Sequence, residues 1–130
     1  MFVINDKYLG VLLGCALGDT LGMPVEGWKR AQIQKYIGRI TEPIAPVIHF
    51  DTAGKRIEED EFGKFGYYTA DLTLGEYTDD TILTLKLAKS LVRCKEMNLG
   101  DVAKRQVEAY TELLQPDGHV RGGFGTTTEV

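Results

Sequence analysis

The N-terminal segment carries four glycines spaced four residues apart, Gly10, Gly14, Gly18 and Gly22, within an apolar stretch that predicts a helix. Residues four apart lie on the same face of a helix, so these glycines form one flat stripe. Each glycine inside a helix costs about 0.8–1 kcal/mol relative to alanine. We therefore expect another backbone or a ligand to pass close to this face, and the helix to be buried centrally. Close helix packing without a ligand explains the stripe equally well.

The hydrophobic periodicity predicts a helix-rich chain, and the whole chain, residues 1–130, has the length of one domain or of part of a larger domain. The helices are expected at about Asn5–Gly22, Trp28–Ile37, Asp79–Lys95 and Asp101–Leu114, the last with Asp101 as its N-cap. Between them, residues 39–76 contain prolines, glycines and a charge run. We interpret this stretch as a long loop excursion.

The charge and apolar content exclude several partners. A net charge of -4 argues against nucleic-acid or anionic-membrane binding, since both favour basic surfaces. The longest apolar run, residues 9–17, is much shorter than the roughly 20 residues that cross a bilayer. Cys15 and Cys94 lie in separate predicted helices without metal-ligand spacing, which indicates core thiols in a reducing compartment. We expect a cytoplasmic protein that does not bind membranes.

An acidic helix start, Thr78-Asp79-Asp80-Thr81, precedes the third predicted helix. Threonine is a good N-cap and acids in the first turn favour the helix dipole, so simple capping accounts for this tetrapeptide. A second acidic segment ends at Glu26, and the two together suggest an oxygen-lined site for a hard divalent cation. Capping and metal binding are compatible, because one carboxylate can face inward while another group caps.

Two segments follow one another in the chain, first Gly14-Cys15-Ala16-Leu17-Gly18-Asp19-Thr20-Leu21-Gly22-Met23-Pro24-Val25-Glu26 and then Gly75-Glu76-Tyr77-Thr78-Asp79-Asp80-Thr81. Together they resemble the N-terminal signature of the ADP-ribosylglycohydrolase family. That family includes the dinitrogenase-reductase-activating glycohydrolases and the ADP-ribosyl-acceptor hydrolases. The glycine-rich tail, Arg121-Gly122-Gly123-Phe124-Gly125-Thr126-Thr127, also resembles a loop of the family. The two signatures in order are far more specific than either one alone.

The resemblance implies a compact multi-helix all-α fold and a set of site residues. Thr78, Asp79 and Asp80 match ligands of a binuclear Mg²⁺ or Mn²⁺ centre, and Glu26 matches a glutamate near the scissile bond. Asp19 matches an aspartate whose role is as consistent with structure as with direct chemistry. The substrate loop is expected at Gly122, Gly123 and Gly125.

The same resemblance implies hydrolysis of an ADP-ribosyl N- or O-glycosidic bond on a protein or a small-molecule acceptor. The metals are expected to bind the ribose hydroxyls and a water, and Glu26 to act as a general base. No histidine or thiolate accompanies the oxygen ligands, which favours magnesium or manganese over zinc.

The chain departs from the family in length. Members are much longer than 130 residues, and their second ligand cluster, Asp-x-Asp-Thr, lies in a C-terminal half; here Asp117 is the only aspartate after Asp101. We therefore expect an N-terminal part whose site is completed by a missing C-terminal half or a second chain, or a chain without activity. The alternatives are a non-catalytic ADP-ribose-binding protein and a structural member like the jellyfish lens crystallins.

Overall fold

The computed structural model of the protein describes residues 3–45 and 72–124. Across these two ranges the regular structure is helical, with no strand, which confirms the predicted all-α fold. The elements are α1 (Val3–Gly22), a 3₁₀ turn (Met23–Val25), α2 (Arg30–Tyr36), α3 (Asp79–Cys94) and α4 (Leu99–Leu113). The centre of the predicted excursion, residues 46–71, and the predicted loop residue Gly125 lie outside the described residues.

Helix α3 is the central element of the described structure, because it packs against both α1 and α4. Its contact with α4 continues into the segment that follows α4, where Val120 and Phe124 are buried with Ala109. The Phe124 ring meets the Tyr110 ring edge-on, with centroids 5.8 Å apart. The glycine-rich tail is therefore held against α3 and α4 by apolar side chains on either side of its glycines.

The start of α4 differs from the sequence prediction. Asn98 is the N-cap, and its side-chain oxygen accepts the Asp101 N–H at 3.0 Å. Asp101 lies within the first turn instead, where its carboxylate pairs with Arg105 at 3.0 Å and with Arg93 of α3 at 3.3 Å. Asparagine caps a helix as well as aspartate does, so the helix begins one turn earlier than predicted.

The central burial expected for α1 is not found within the described residues. Leu9, Leu13 and Leu17, which share one face, are 56%, 59% and 55% exposed. A methyl group added at any glycine of the stripe would meet no described atom within 4 Å. Helix α1 contacts α3 beside the stripe, where the thiol of Cys15, a free cysteine, donates to the Thr84 hydroxyl at 3.7 Å. The glycine stripe is therefore an open face, because the described helices meet only one side of α1.

The apolar character of α1 has a second consequence. The segment Asp6–Val25, with a mean hydropathy of 1.4, is long and apolar enough to cross a membrane by length and composition alone. A core helix of a soluble protein passes the same test. The expectations of a cytoplasmic location and of no membrane contact therefore stay predictions.

Candidate active site

The Asp19 carboxylate of α1 is bound to the N-terminus of α3 by four hydrogen bonds. Its Oδ2 accepts the Thr78 N–H at 2.9 Å, the Thr81 N–H at 3.1 Å and the Thr81 hydroxyl at 2.5 Å. Its Oδ1 accepts the Thr78 hydroxyl at 2.8 Å. Both threonines are almost fully buried, at 4% and 2% exposure. A carboxylate from another helix thus caps α3, where the helix dipole favours negative charge.

The two remaining N–H groups of the first turn of α3 are also satisfied without the Asp79 and Asp80 carboxylates. The Gly122 carbonyl accepts the Asp79 N–H at 2.7 Å, and the Thr78 hydroxyl oxygen accepts the Asp80 N–H at 3.3 Å. Capping by Thr78 is therefore confirmed. Neither neighbouring carboxylate is needed to cap the helix, which leaves both side chains available for another role.

A cleft of about 520 Å³ opens between the end of α1 and the start of α3. Gly18 and Gly22 form part of its wall, so the C-terminal half of the glycine stripe borders the cleft. Among the described residues, its polar lining comprises Asp19, Glu26, Thr78, Asp80 and Thr84, without a lysine, arginine or histidine. The cleft is consequently an acidic, oxygen-rich space next to a helix terminus.

The carboxylates around this cleft repel one another. Burial, together with the charges of Asp80, Glu26 and Asp19, raises the pKa of Asp79 to about 6. Burial raises the pKa of Glu26 too, and the Asp80 and Asp19 charges add to that effect. Within residues 3–45 and 72–124, no ion pair offsets the charge of Glu26, Asp79 or Asp80. The site therefore holds concentrated negative charge that a bound cation would relieve.

The glycine loop lies directly against the acidic helix start. Gly122 and Gly123 have φ of +102° and +84°, a conformation that side chains other than glycine rarely adopt. A methyl group on Gly123 would lie 3.5 Å from the Asp79 carboxylate oxygen Oδ1 and 3.5 Å from the Thr78 Cβ. These glycines let the loop backbone approach α3 closely enough for the Gly122 carbonyl to accept the Asp79 N–H.

An ion pair connects this loop to the segment before α3. One Arg121 guanidinium nitrogen donates to both Glu76 carboxylate oxygens, at 2.6 and 2.7 Å. Glu76 also accepts the Thr73 N–H at 2.6 Å. The Arg121 and Thr73 hydrogen bonds hold the pKa of Glu76 below its usual value. The ion pair therefore ties the glycine loop to the segment before α3, next to the helix start at Thr78 and Asp79.

Comparison with known proteins decides the family. A family model described as ADP-ribosylglycohydrolase matches residues 3–129, nearly the whole chain. The chain belongs to the ADP-ribosylglycohydrolase family. The resemblance inferred from the two sequence signatures is thus confirmed.

Two relatives illustrate how this chain compares with other proteins. It is 28% identical, over 78% of its length, to an uncharacterized protein from Archaeoglobus fulgidus, and 26% identical, over 97% of its length, to the uncharacterized protein YegU from Escherichia coli strain K12. The matches cover 27% and 32% of those relatives, so the chain spans about a third or less of their length. No solved structure matches the chain significantly.

The structure brings most of the predicted site residues of this ADP-ribosylglycohydrolase chain together. Glu26, Thr78 and Asp80 line one cleft, although Glu26 lies more than fifty residues before the other two. Asp79 is not among the lining residues; it lies beside Gly123 on the loop side, close enough to Glu26 for their charges to interact. Which of these groups bind a metal stays a prediction.

A complete ligand set is not present in the described part of the chain. No group of three or more histidine, cysteine, aspartate or glutamate side chains there is arranged to hold a metal ion. Since Mg²⁺ takes near-octahedral oxygen coordination, the described residues supply at most one side of such a site.

Sequence reasoning did not foresee two contacts. The four hydrogen bonds of Asp19 and the Glu76–Arg121 pair join segments more than forty residues apart. Asp19 lies in the first family signature and Glu76 in the second. Their place in the signatures was the only feature of the sequence that marked these two acids as important. Neither partner could be deduced, because nothing in the local pattern encodes a contact over such separations.

Proposed function

We propose that this chain forms part of a metal-dependent hydrolase that cleaves an ADP-ribosyl N- or O-glycosidic bond. The observation that carries the proposal is the convergence of Glu26, Thr78 and Asp80 on one acidic cleft, in a chain of the ADP-ribosylglycohydrolase family. The substrate would be an ADP-ribosylated protein or an ADP-ribose-containing small molecule. We expect the enzyme to work in the cytoplasm, without nucleic acid or membrane as a partner.

The residues around the cleft fit a hard divalent cation in donor type and charge. The available donors are carboxylate and hydroxyl oxygens, which suit Mg²⁺ or Mn²⁺ and not a soft metal. Burial, with repulsion from the neighbouring carboxylates, raises the pKa of Asp79 and Glu26, and a bound cation would offset that repulsion. Thr78, Asp79 and Asp80 would hold the cation, and the family's binuclear centre would need further ligands. A bound cation would polarise substrate oxygens and lower the pKa of a water.

The protein groups each have a distinct task in the proposed reaction. Glu26 would accept a proton from the attacking water and later return one to the leaving group. Its raised pKa suits this exchange, because a base with a pKa nearer to neutrality is both free to accept a proton and able to donate it. Thr78, the N-cap of α3, and Asp80, in its first turn, would hold the cation at the position where the ribose hydroxyls bind.

The glycine loop would supply the second half of substrate recognition. Gly122 and Gly123 lack side chains where the loop meets α3, so the loop backbone lies directly beside Asp79 and Thr78, where the substrate would bind. Gly125, proposed as a third loop contact, belongs to the same run. We assign this loop to the ribose or the diphosphate of the substrate, since glycine-rich backbone can hold anionic groups through its N–H donors.

The missing ligands would come from polypeptide beyond the described residues. The curated relatives are about three times as long, which leaves room for a further helical part or a second chain to complete the site. The open face of α1, which carries Leu9, Leu13 and Leu17 beside its glycines, is a suitable surface for such a part. The same incompleteness supports the second candidate function, ADP-ribose binding or a structural role without turnover.

The test is release of ADP-ribose from ADP-ribosylated arginine and serine peptides by the full-length protein with Mg²⁺. Glu26→Gln should abolish turnover while leaving ADP-ribose binding, measured by calorimetry, within a few-fold of wild type. Glu42→Gln is the matched control, because Glu42 is an exposed glutamate that does not line the cleft. Binding without turnover in the wild type would favour the non-catalytic candidate. Neither binding nor turnover would favour a structural protein.

A further inference from the structure

We propose that Asp19 is a positioning residue that sets the direction of the Thr78 hydroxyl hydrogen. By binding that hydrogen, Asp19 turns a lone pair of Thr78 Oγ1 towards the cleft, where a divalent cation would lie. The inference rests on the proposed function, because it concerns a residue assigned to the metal site. It gives Asp19 a task beyond capping α3.

The hydrogen bonds of the Thr78 hydroxyl account for all but one of its bonding positions. A threonine hydroxyl has one hydrogen and two lone pairs. The hydrogen is donated to Asp19 Oδ1 at 2.8 Å, and one lone pair accepts the Asp80 N–H at 3.3 Å. Thr78 is only 4% exposed, so water competes little for either bond, and Thr78 lines the cleft. The remaining lone pair is the free position of this oxygen.

Asparagine at position 19 would reverse this arrangement. The oxygen at the Oδ2 position accepts two backbone N–H groups, from Thr78 and Thr81, and these donors cannot turn around. The amide oxygen of Asn would therefore occupy that position and place its NH₂ group opposite Thr78 Oγ1. The Thr78 oxygen would then accept two hydrogen bonds, and its own hydrogen would be displaced towards the cleft. The positive end of the O–H dipole would face the cation and repel it.

Thr81 provides a matched structural control. Its hydroxyl donates to the same Asp19 oxygen that the two backbone N–H groups share, and its side chain is 2% exposed. Thr81→Val removes one of the four hydrogen bonds of Asp19 and keeps the shape of the side chain. It leaves the bond between Asp19 and the Thr78 hydroxyl in place.

The experiment measures Mn²⁺ affinity by calorimetry and thermal unfolding in EDTA for the full-length protein. The variants are Asp19→Asn, Thr81→Val, Thr78→Val and the double variant that combines Asp19→Asn with Thr78→Val. We expect Asp19→Asn to weaken Mn²⁺ binding at least tenfold and Thr81→Val to weaken it less than twofold. We expect the double variant to bind within about threefold of Thr78→Val alone, because a residue that acts through Thr78 has little further effect once that hydroxyl is gone.

Three outcomes would overturn the proposal. Equal losses of Mn²⁺ affinity in Asp19→Asn and Thr81→Val would show that Asp19 only caps α3 and does not orient the Thr78 hydroxyl. Additive losses in the double variant would indicate a charge effect independent of Thr78. A wild-type protein that binds no Mn²⁺ would remove the metal from the proposed function as well, whereas the first two outcomes leave it intact.

A spectroscopic measurement covers the case in which Asp19→Asn does not fold. In the wild-type protein, NMR should show a slowly exchanging Thr78 hydroxyl proton with a coupling to the Asp19 carboxylate carbon. This coupling should persist when Mg²⁺ is added. A hydroxyl proton that loses its coupling to Asp19 on Mg²⁺ addition would overturn the proposal.

Discussion

The substitution Gly123→Ala tests whether the glycine loop belongs to the binding site, and Gly118→Ala is its matched control. Both glycines have positive φ, +84° at Gly123 and +88° at Gly118. A methyl group at Gly118 would meet nothing within 4 Å, whereas one at Gly123 would lie 3.5 Å from Asp79 Oδ1 and from Thr78 Cβ. The two substitutions therefore impose the same backbone strain and differ in what the new methyl group touches.

The loss of stability should be similar in the two variants. The left-handed conformation costs alanine about 1–2 kcal/mol, and alanine regains about 0.4–1 kcal/mol by restricting the unfolded chain. Each variant should therefore lose about 1 kcal/mol of unfolding free energy. The contacts at Gly123 are ordinary van der Waals distances, so they should add little repulsion. ADP-ribose affinity should differ: Gly123→Ala places a methyl group beside the Asp79 carboxylate and should weaken binding roughly threefold to tenfold, or about 0.7–1.4 kcal/mol.

Urea unfolding of both variants gives the stability, and calorimetric titration with ADP-ribose in the presence of Mg²⁺ gives the affinity. Equal affinities for the two variants would refute the assignment of this loop to the substrate. A loss of more than about 3 kcal/mol in Gly123→Ala alone would refute the contact geometry, because strain of this kind accounts for only about 1–2 kcal/mol.

Three further predictions concern the surroundings of the cleft. Asp19→Ala should lower the unfolding free energy by about 3–5 kcal/mol in urea titrations, because it leaves buried donors of α3 without an acceptor; the exposed Asp6→Ala control should change it by less than about 0.5 kcal/mol. The raised pKa of Asp79 lets the folded state bind a proton that the unfolded state releases between about pH 4 and 6. Thermal unfolding in EDTA should therefore show the free energy of unfolding falling by about 1–2 kcal/mol as pH rises through that window, a value already reduced for solvent screening. Saturating Mg²⁺ should abolish this decline. Arg121→Gln should at least double amide hydrogen exchange in the loop around Gly122, because the brace to Glu76 is lost, while exchange in the centre of α4 should stay unchanged.

The helices and the acidic helix start were predictable because their signals are local. Apolar periodicity placed α1 and α3 within a few residues of their observed bounds, and the α3 prediction began at Asp79, where the helix starts. Thr78 was predictable as a cap because capping depends on residue type and on the helix that follows. The grouping of Glu26 with Thr78 and Asp80 was suggested by the two acidic segments and supported by the family signature, but no local pattern fixes a contact between residues so far apart.

Tertiary structure decided what those local signals could not. The glycine stripe predicted a closely packed face, yet no described atom packs onto the glycines, and α3 meets α1 beside the stripe, at Cys15 and Asp19. Which carboxylate caps α3 depends on how α1 packs against α3: Asp19 satisfies the helix terminus, so the Asp79 and Asp80 side chains are not needed as caps. The sequence alone specified the helices and the acidic residue types. The choice of Asp19 as the carboxylate that caps α3 required the packing of the two helices, because hydrogen bonds over such sequence separations exist only once the chain is folded.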